Sequence, residues 1–307
     1  MAETDESGID MSRGSFKLAD AETQDTAKLA MILDLMAQRP AVQTLKAWAL
    51  EQLAPAAGET AVDVGSGTGE DVVRFAKLVG AHGRAIGVEP SAGLRAEAVR
   101  RATEATVERA AGTNVESVDG DAEATGESVD RAAEATVEFV DGYAGALPFE
   151  PESVDALRSE RVLQHVADPA GAVQDMARVL RPGGRIALID TDWSTAIIHP
   201  ADPAVLKRMV DYFVGDSANP YSGRRLRGLL AGAGLEITGE TAATWIEAQE
   251  GARQGFVSMM HLTSLEAGII TRAEAEAFAQ GIADAADRGA FHLSLTMYAV
   301  SARKPAG

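Results

Sequence analysis

The 307-residue chain contains no cysteine. That absence removes disulfides, thiolate nucleophiles and cysteine-ligated zinc, and it fits a reducing compartment. Basic residues are also in deficit: 28 Lys and Arg stand against 46 Asp and Glu, a formal net charge of −18 at pH 7. Binding to nucleic-acid backbones or anionic membrane surfaces depends on cations that neutralise phosphates, so neither kind of partner is expected. The excess acidity reads as surface solvation. There is no run of about 18 apolar residues that could span a bilayer. The opening Met1-Ala2-Glu3-Thr4-Asp5-Glu6 lacks the basic start and apolar middle of an export signal, and a cytoplasmic location is expected. What remains is 46% hydrophobic, enough for one sizeable core.

The most informative stretch is Ala61-Val62-Asp63-Val64-Gly65-Ser66-Gly67-Thr68-Gly69-Glu70-Asp71, an apolar strand, a glycine-rich turn and the start of a helix. Gly65, Gly67 and Gly69 remove Cβ where backbone passes close to a ligand, and the following helix points free N–H groups into the same space. A dinucleotide fingerprint would need glycine or alanine where this chain has Glu70, a poor neighbour for a pyrophosphate. The acidic Asp63 ahead of the turn suits instead a cofactor with a sugar and an amino-acid tail. Twenty residues beyond Gly69, the strand Arg84-Ala85-Ile86-Gly87-Val88 ends in Glu89, a carboxylate suited to ribose hydroxyls.

Further along stand Leu147-Pro148-Phe149, then Ser153-Val154-Asp155-Ala156, Glu160-Arg161-Val162-Leu163-Gln164-His165-Val166-Ala167-Asp168-Pro169 and Arg178-Val179-Leu180-Arg181-Pro182-Gly183-Gly184-Arg185. In order and spacing these residues resemble the class I S-adenosylmethionine (SAM)-dependent methyltransferases, within the small-molecule group that includes ubiquinone/menaquinone-type enzymes. The resemblance implies an α/β fold: a Rossmann-like, seven-stranded, mostly parallel sheet in the order 3-2-1-4-5-7-6 with strand 7 antiparallel, helices on both faces and an N-terminal helical cap. It implies S-adenosyl-L-methionine as cofactor, held by Asp63, Gly65, Ser66, Gly67, Gly69, Glu89, Pro90, Gly142, Tyr143, Glu160, Arg161 and His165. The partner it implies is a small-molecule substrate; a homodimer is left open.

In chain order, residues 1–15 read as a disordered tail. Residues 16–57 read as the helical cap, with Leu29, Ile32, Leu33 and Met36 and then Val42, Leu45, Trp48, Ala49 and Leu53 at helical spacing. The SAM-binding domain follows at 58–307. It carries an acidic insertion at about 101–136 that departs from the family and holds a near-repeat, Arg101–Glu108 against Arg131–Glu138. The second copy reads as strand 3, because only Val137, Phe139 and Val140 are apolar enough to be buried. The resemblance implies an aspartate near the adenine, and Asp121 and Asp141 stand as alternatives for it. Strand 4 is expected at Val154–Ser159, strand 5 at Ile186–Ile189 after a stop at Arg181–Gly184, strand 6 at Leu235–Thr241 and a last strand at Phe291–Ala299. Substrate-cap helices are expected at about 194–234 and 248–289, including a continuous helix from Glu250 to Ile270 and a capping box at Thr271 and Glu274.

Methyl transfer from a sulfonium is an in-line displacement, so alignment of the reactants can supply roughly 7–11 kcal/mol and a general base is optional. The candidate catalytic residues are His165, Asp190 and His261; each has a structural alternative, as a satisfied histidine or a turn cap. Trp193, Tyr221, Trp245, Phe256, Met259 and Met260 fall in segments that this family uses to enclose substrate, which points to a small apolar or aromatic acceptor. No metal site is expected, since His199, Asp202, Asp190 and Asp192 do not form a convincing ligand set. Two other readings are a non-catalytic SAM-binding protein and a nicotinamide-dependent oxidoreductase; Glu70 speaks against the second.

Overall fold

The computed structural model describes residues 26–112, 135–215, 217–253 and 255–306. The tail at 1–15, Asp121 and residues 113–134 of the insertion lie outside the described residues. Two helices come first, α1 (Thr26–Ala37) and α2 (Pro40–Leu53). Then alternate β1 (Thr60–Val64), α3 (Glu70–Val79), β2 (Arg84–Val88), α4 (Ala92–Gly112), β3 (Thr136–Val140), β4 (Val154–Glu160), α5 (Pro169–Val179) and β5 (Leu180–His199). The chain closes with α6 (Pro203–Gly215), α7 (Ser222–Gly232), β6 (Glu236–Ile246), α8 (Gly255–Glu266), α9 (Arg272–Asp287) and β7 (His292–Arg303). The seven strands form one sheet in the order β3-β2-β1-β4-β5-β7-β6. β1 to β5 pair in parallel and β7 runs antiparallel to both β5 and β6, as the resemblance implies.

The two faces of the sheet carry different side chains because parallel strands are covered on both sides. On one face Val62, Val64, Ile86, Val88, Leu157, Ile186 and Leu188 pack against α5 and α7. On the other, Ala85, Ala61 and Ala156 stand side by side in adjacent strands. These small residues let α2 and α3 approach closely through Leu45, Ala49, Leu53, Val72, Phe75 and Val79. Of the two N-terminal helices, therefore, α2 lies on the sheet. α1 instead packs on α4 through Leu29, Ala30 and Leu94 and leans toward the glycine turn.

Three strands are longer than expected. β5 starts at Leu180, running straight through the Arg181–Gly184 stop, because Gly183 N–H donates to Lys304 O (2.9 Å) and the segment joins the ladder. β5, β6 and β7 then continue past the ends of the parallel strands. There they bear a separate core of Ile198, Met209, Trp245, Met260, Phe278, Ile282, Leu293 and Leu295, built with α6, α8 and α9. The continuous helix expected over Glu250–Ile270 is instead a 3₁₀ turn at Gln249–Arg253 followed by α8, which ends near Gly268 at a φ of 69°. The Thr271–Glu274 capping box is present at the start of α9. Among the described residues no helix is long and apolar enough to cross a membrane.

Candidate active site

β1 ends where the sheet divides, with β2 and β3 to one side and β4 and β5 to the other, and in open parallel sheets ligands bind beyond the strand ends at such a division. The turn that follows has positive φ at Gly65 (74°), Gly67 (52°) and Gly69 (81°). Its neighbours are close: a Cβ on Gly65 would stand 2.3 Å from Cγ2 of Val162, and one on Gly69 2.6 Å from the Phe139 ring. The N–H groups of Gly65 and Ser66 donate to Val88 O (2.8 and 3.1 Å), tying the turn to β2. Leu33 of α1 lies against Gly67, 3.1 Å from where a Cβ would be.

Glu89 closes β2 with its carboxylate drawn under the turn. Oε2 accepts from Gly67 N–H and Oε1 from Ser91 N–H, both at 3.0 Å. The residue is only 7% exposed. Burial raises its pKa, against the pull of the two N–H donors and of Arg95. Arg95 donates to the carbonyls of Glu89 (2.6 Å) and Pro90 (2.9 Å) and to Asp141 (2.6 Å), stitching the ends of β2 and β3 together. Gly142 and the half-exposed Tyr143 follow, with Tyr143 bridged to Ala146. Ser66 Oγ is buried and has no partner among the described residues.

A buried chain of ion pairs runs behind the turn. Lys46 of α2 reaches Glu70 and Asp71, each at 2.8 Å. Arg158, in the middle of β4, holds Asp71 (2.9 Å), Asp63 (3.1 Å) and Glu160. Glu160 also accepts from Arg161 at 3.0 Å. Burial pushes the Asp63 carboxyl up despite Arg158. Burial also opposes the charge on Asp71, but there Arg158 and Lys46 outweigh it and hold the pKa low. The expected cofactor residues Asp63 and Glu160 are thus both engaged by Arg158. Arg158, Lys46 and Asp71 were not singled out from the sequence. The available signal was a charge in mid-strand at Arg158 and another on the apolar face of α2 at Lys46.

On the β4 side, Arg161 adopts a φ of 55° and its N–H donates to Ile189 O (2.8 Å). This starts the 3₁₀ turn Leu163–His165. His165 is partly buried, and burial together with the Arg161 charge lowers its pKa to about 4. Asp190, 1% exposed, accepts from Gln164 N–H (3.0 Å), Thr191 N–H (2.8 Å) and Ser222 Oγ (2.9 Å). Burial lifts it to about 7, against those three donors. Its carboxylate therefore joins β5, the 3₁₀ turn and α7. Asp192 is held by Arg224 and Ser194.

Above this edge stand aromatic rings. Trp193 lies 5.1 Å from Phe213 and stacks on Phe256 at 5.6 Å, and Phe256 meets Trp245 at 6.3 Å. Trp193 Nε1 donates to Gln164 Oε1 (2.9 Å), and the Arg39 guanidinium lies 3.5 Å over the Trp245 ring. Met260 is fully buried and Tyr221 is exposed beneath Arg224. His261 turns toward α9, with its ring 5.9 Å from Phe278 and Nδ1 3.3 Å from Val257 O. The glycines, Glu89, Arg161 and His165 thus follow the ends of β1, β2 and β4, with Trp193 tied to the last of these turns through Gln164, while His261 belongs to the contact between α8 and α9.

Known proteins match this chain as follows. A model of the methyltransferase domain matches residues 105–188, and one of protein-L-isoaspartate(D-aspartate) O-methyltransferase matches residues 13–146. An uncharacterized 37.1 kDa protein of transposon TN4556 in Streptomyces fradiae is 30% identical over 274 residues, 88% of this chain and 70% of that one. The ubiquinone/menaquinone biosynthesis C-methyltransferase of Hahella chejuensis is 27% identical over 182 residues, and the match spans 59% of each chain. The YcgJ protein of Bacillus subtilis shares the fold, with a TM-score of 0.55 at 17% identity over 86% of this chain and all of that one. The chain belongs to the class I S-adenosylmethionine-dependent methyltransferases, and SAM is the methyl donor of that class. The turn suits such a donor: glycines at positive φ leave the backbone bare, and a buried carboxylate lies directly beneath.

Proposed function

We propose that this methyltransferase transfers the methyl group of SAM to oxygen or carbon of a small, largely apolar or aromatic molecule of the quinone or secondary-metabolite type. In this reading Gly65 to Gly69 and Glu89 hold the adenosyl part. Gly142 and Tyr143 flank the base, and Glu160, Arg161 and His165 border the methionine end. α1 covers the turn, and the segments around 194–234 and 248–289 enclose the acceptor. Bound SAM supplies an electrophilic methyl on a sulfonium, and the protein's part is to align donor and acceptor and keep water out. The observation that carries the reading is Glu89, a carboxylate kept out of water at the end of β2 and turned under the glycine turn.

Calorimetry of SAM binding to wild type and to Glu89→Ala tests it. Hydrogen bonds to a charged group contribute about 1.5–3 kcal/mol, so affinity should fall roughly ten- to a hundredfold. Glu89→Gln, which keeps one acceptor oxygen, should lose less. Equal affinity in all three proteins would remove Glu89 from the site.

A further inference from the structure

The turn after β4 makes few backbone bonds of its own: His165 N–H donates to Val162 O (2.9 Å) and Val166 N–H to Leu163 O (3.2 Å). Four more reach it from the connection between α6 and α7. Asn219 Nδ2 donates to both Leu163 O (3.1 Å) and Val166 O, Asn219 N–H donates to Gln164 O (2.9 Å), and Ser217 Oγ donates to the same carbonyl at 2.9 Å. Asn219 is itself locked. It is 7% exposed, its Oδ1 accepts from Arg225 (2.6 Å), and its carbonyl accepts from Ser222 N–H (3.1 Å) across a turn with Pro220 at the second position, which suits the fixed φ of proline. Both amide hydrogens and the amide oxygen are in use, so the direction of the side chain is set. Arg161, at the head of the turn it holds, keeps a φ of 55°. A non-glycine residue keeps such a conformation where its surroundings over-determine it, and strain of this kind gathers at functional sites.

Resting on the reading that Glu160, Arg161 and His165 border the methionine end of SAM, we propose that Asn219 is a positioning residue for methyl transfer. It acts through the backbone of residues 163–166, holding the turn in the shape that receives the amino-acid tail of the donor and thereby setting where the sulfonium sits. The connection that carries Asn219 also lies within the segment assigned to enclosing the acceptor. One joint therefore places both reactants, which is where alignment has its effect on rate.

The test uses the full chain and two probes that differ at one end: S-adenosylhomocysteine, and 5′-deoxy-5′-methylthioadenosine, which keeps adenosine and sulfur but lacks the amino-acid tail. Asn219→Asp preserves the shape of the side chain, yet its carboxylate has no hydrogen to give and faces two carbonyl oxygens. By calorimetry its affinity for S-adenosylhomocysteine should fall about tenfold or more, while that for methylthioadenosine stays within about twofold. Ser217→Ala removes a single bond at a part-buried position and should lose about two- to fivefold for the first probe and nothing for the second. Should Asn219→Asp not fold, Ser217→Ala decides. An equal loss for both probes would make the contacts general to stability, and an unchanged affinity for S-adenosylhomocysteine would detach them from the donor; either result overturns the proposal. Arg161→Ala separates it from the reading it rests on. If that variant also treats the two probes alike, the turn does not meet the methionine end and the reading falls with the proposal. If it weakens S-adenosylhomocysteine alone while the Asn219 and Ser217 variants do not, only the proposal falls.

Discussion

The contact between Gly65 and Val162 is where the cofactor turn meets the turn after β4, and it can be broken by two methyl-sized changes. Gly65→Ala adds a Cβ at a φ of 74°, which costs an L-residue roughly 1–2 kcal/mol. The same Cβ would stand 2.3 Å from Val162 Cγ2, and overpacking of this kind costs typically 1–3 kcal/mol. The single variant should therefore lose about 2–5 kcal/mol. Val162→Ala alone removes two partly buried methyl groups and should cost about 1–1.5 kcal/mol, at ~0.8 kcal/mol for each fully buried one. In the double variant the backbone strain persists but the collision is gone. Its loss should fall short of the summed singles by roughly 1–3 kcal/mol, well outside the ~0.5 kcal/mol scatter of independent sites. Urea denaturation of the four proteins measures the cycle, and SAM calorimetry on the same samples follows the turn. If Gly65→Ala costs under about 1 kcal/mol, or the two changes simply add, then the turns do not bear on one another and Val162 does not couple them.

Two further outcomes follow from the buried charges. Arg158→Met leaves Asp63, Asp71 and Glu160 without their shared cation and should cost about 3–5 kcal/mol near pH 7. Losing the cation removes the charge that lowers the Asp63 and Asp71 carboxyls against burial, so the deficit should shrink as pH falls and these two take up protons; a constant deficit from about pH 8 to 5, by urea titration, would count against the network. His165 has its folded pKa lowered to about 4, against an ordinary value of 6.5. Its neutral ring therefore favours the fold fully above about pH 6.5, and that contribution is lost as pH falls toward 4. In proton NMR its ring signals should not titrate between about pH 5.5 and 8; a midpoint near 6.5 would show the ring open to water.

The parallel half of the sheet was legible because its strands are short apolar runs set off by Gly and Pro, and the glycine turn because its spacing is local. The ends of β5 and β6 were not. Asp190, Thr191 and Asp192 read as the close of strand 5, with the two aspartates as candidate turn caps, yet they are paired with Tyr298, Met297 and Thr296 of β7 and almost fully buried. Sequence shows a carboxylate, not the three donors that await it. Nor could the chain of pairs from Lys46 to Arg158 be read, since its members come from α2, α3, β1 and β4 and meet only once the sheet has formed.

The near-repeat shows most directly what decides a conformation here. Ala105-Thr106-Val107-Glu108 is helical within α4, whereas the same four residues at Ala135-Thr136-Val137-Glu138 enter and form β3. Intrinsic preference is equal by construction, so context must choose, as it does when tertiary packing overrides propensity. The first copy continues a helix already running from Ala92 and steadied by Arg100 pairing with Glu97 and Glu104, and its Val107 stays exposed. The second leads into Phe139 and Val140, pairs with β2 and carries Glu138 to Arg84 at 2.8 Å. Phe139 fits over Gly69 and Gly87, where the absence of side chains leaves room for its ring. Gly69 of the turn and Gly87 of β2 thus make room for the second copy as the strand. That choice sets Asp141 at the end of β3, where Arg95 joins it to the Glu89 carbonyl at the end of β2.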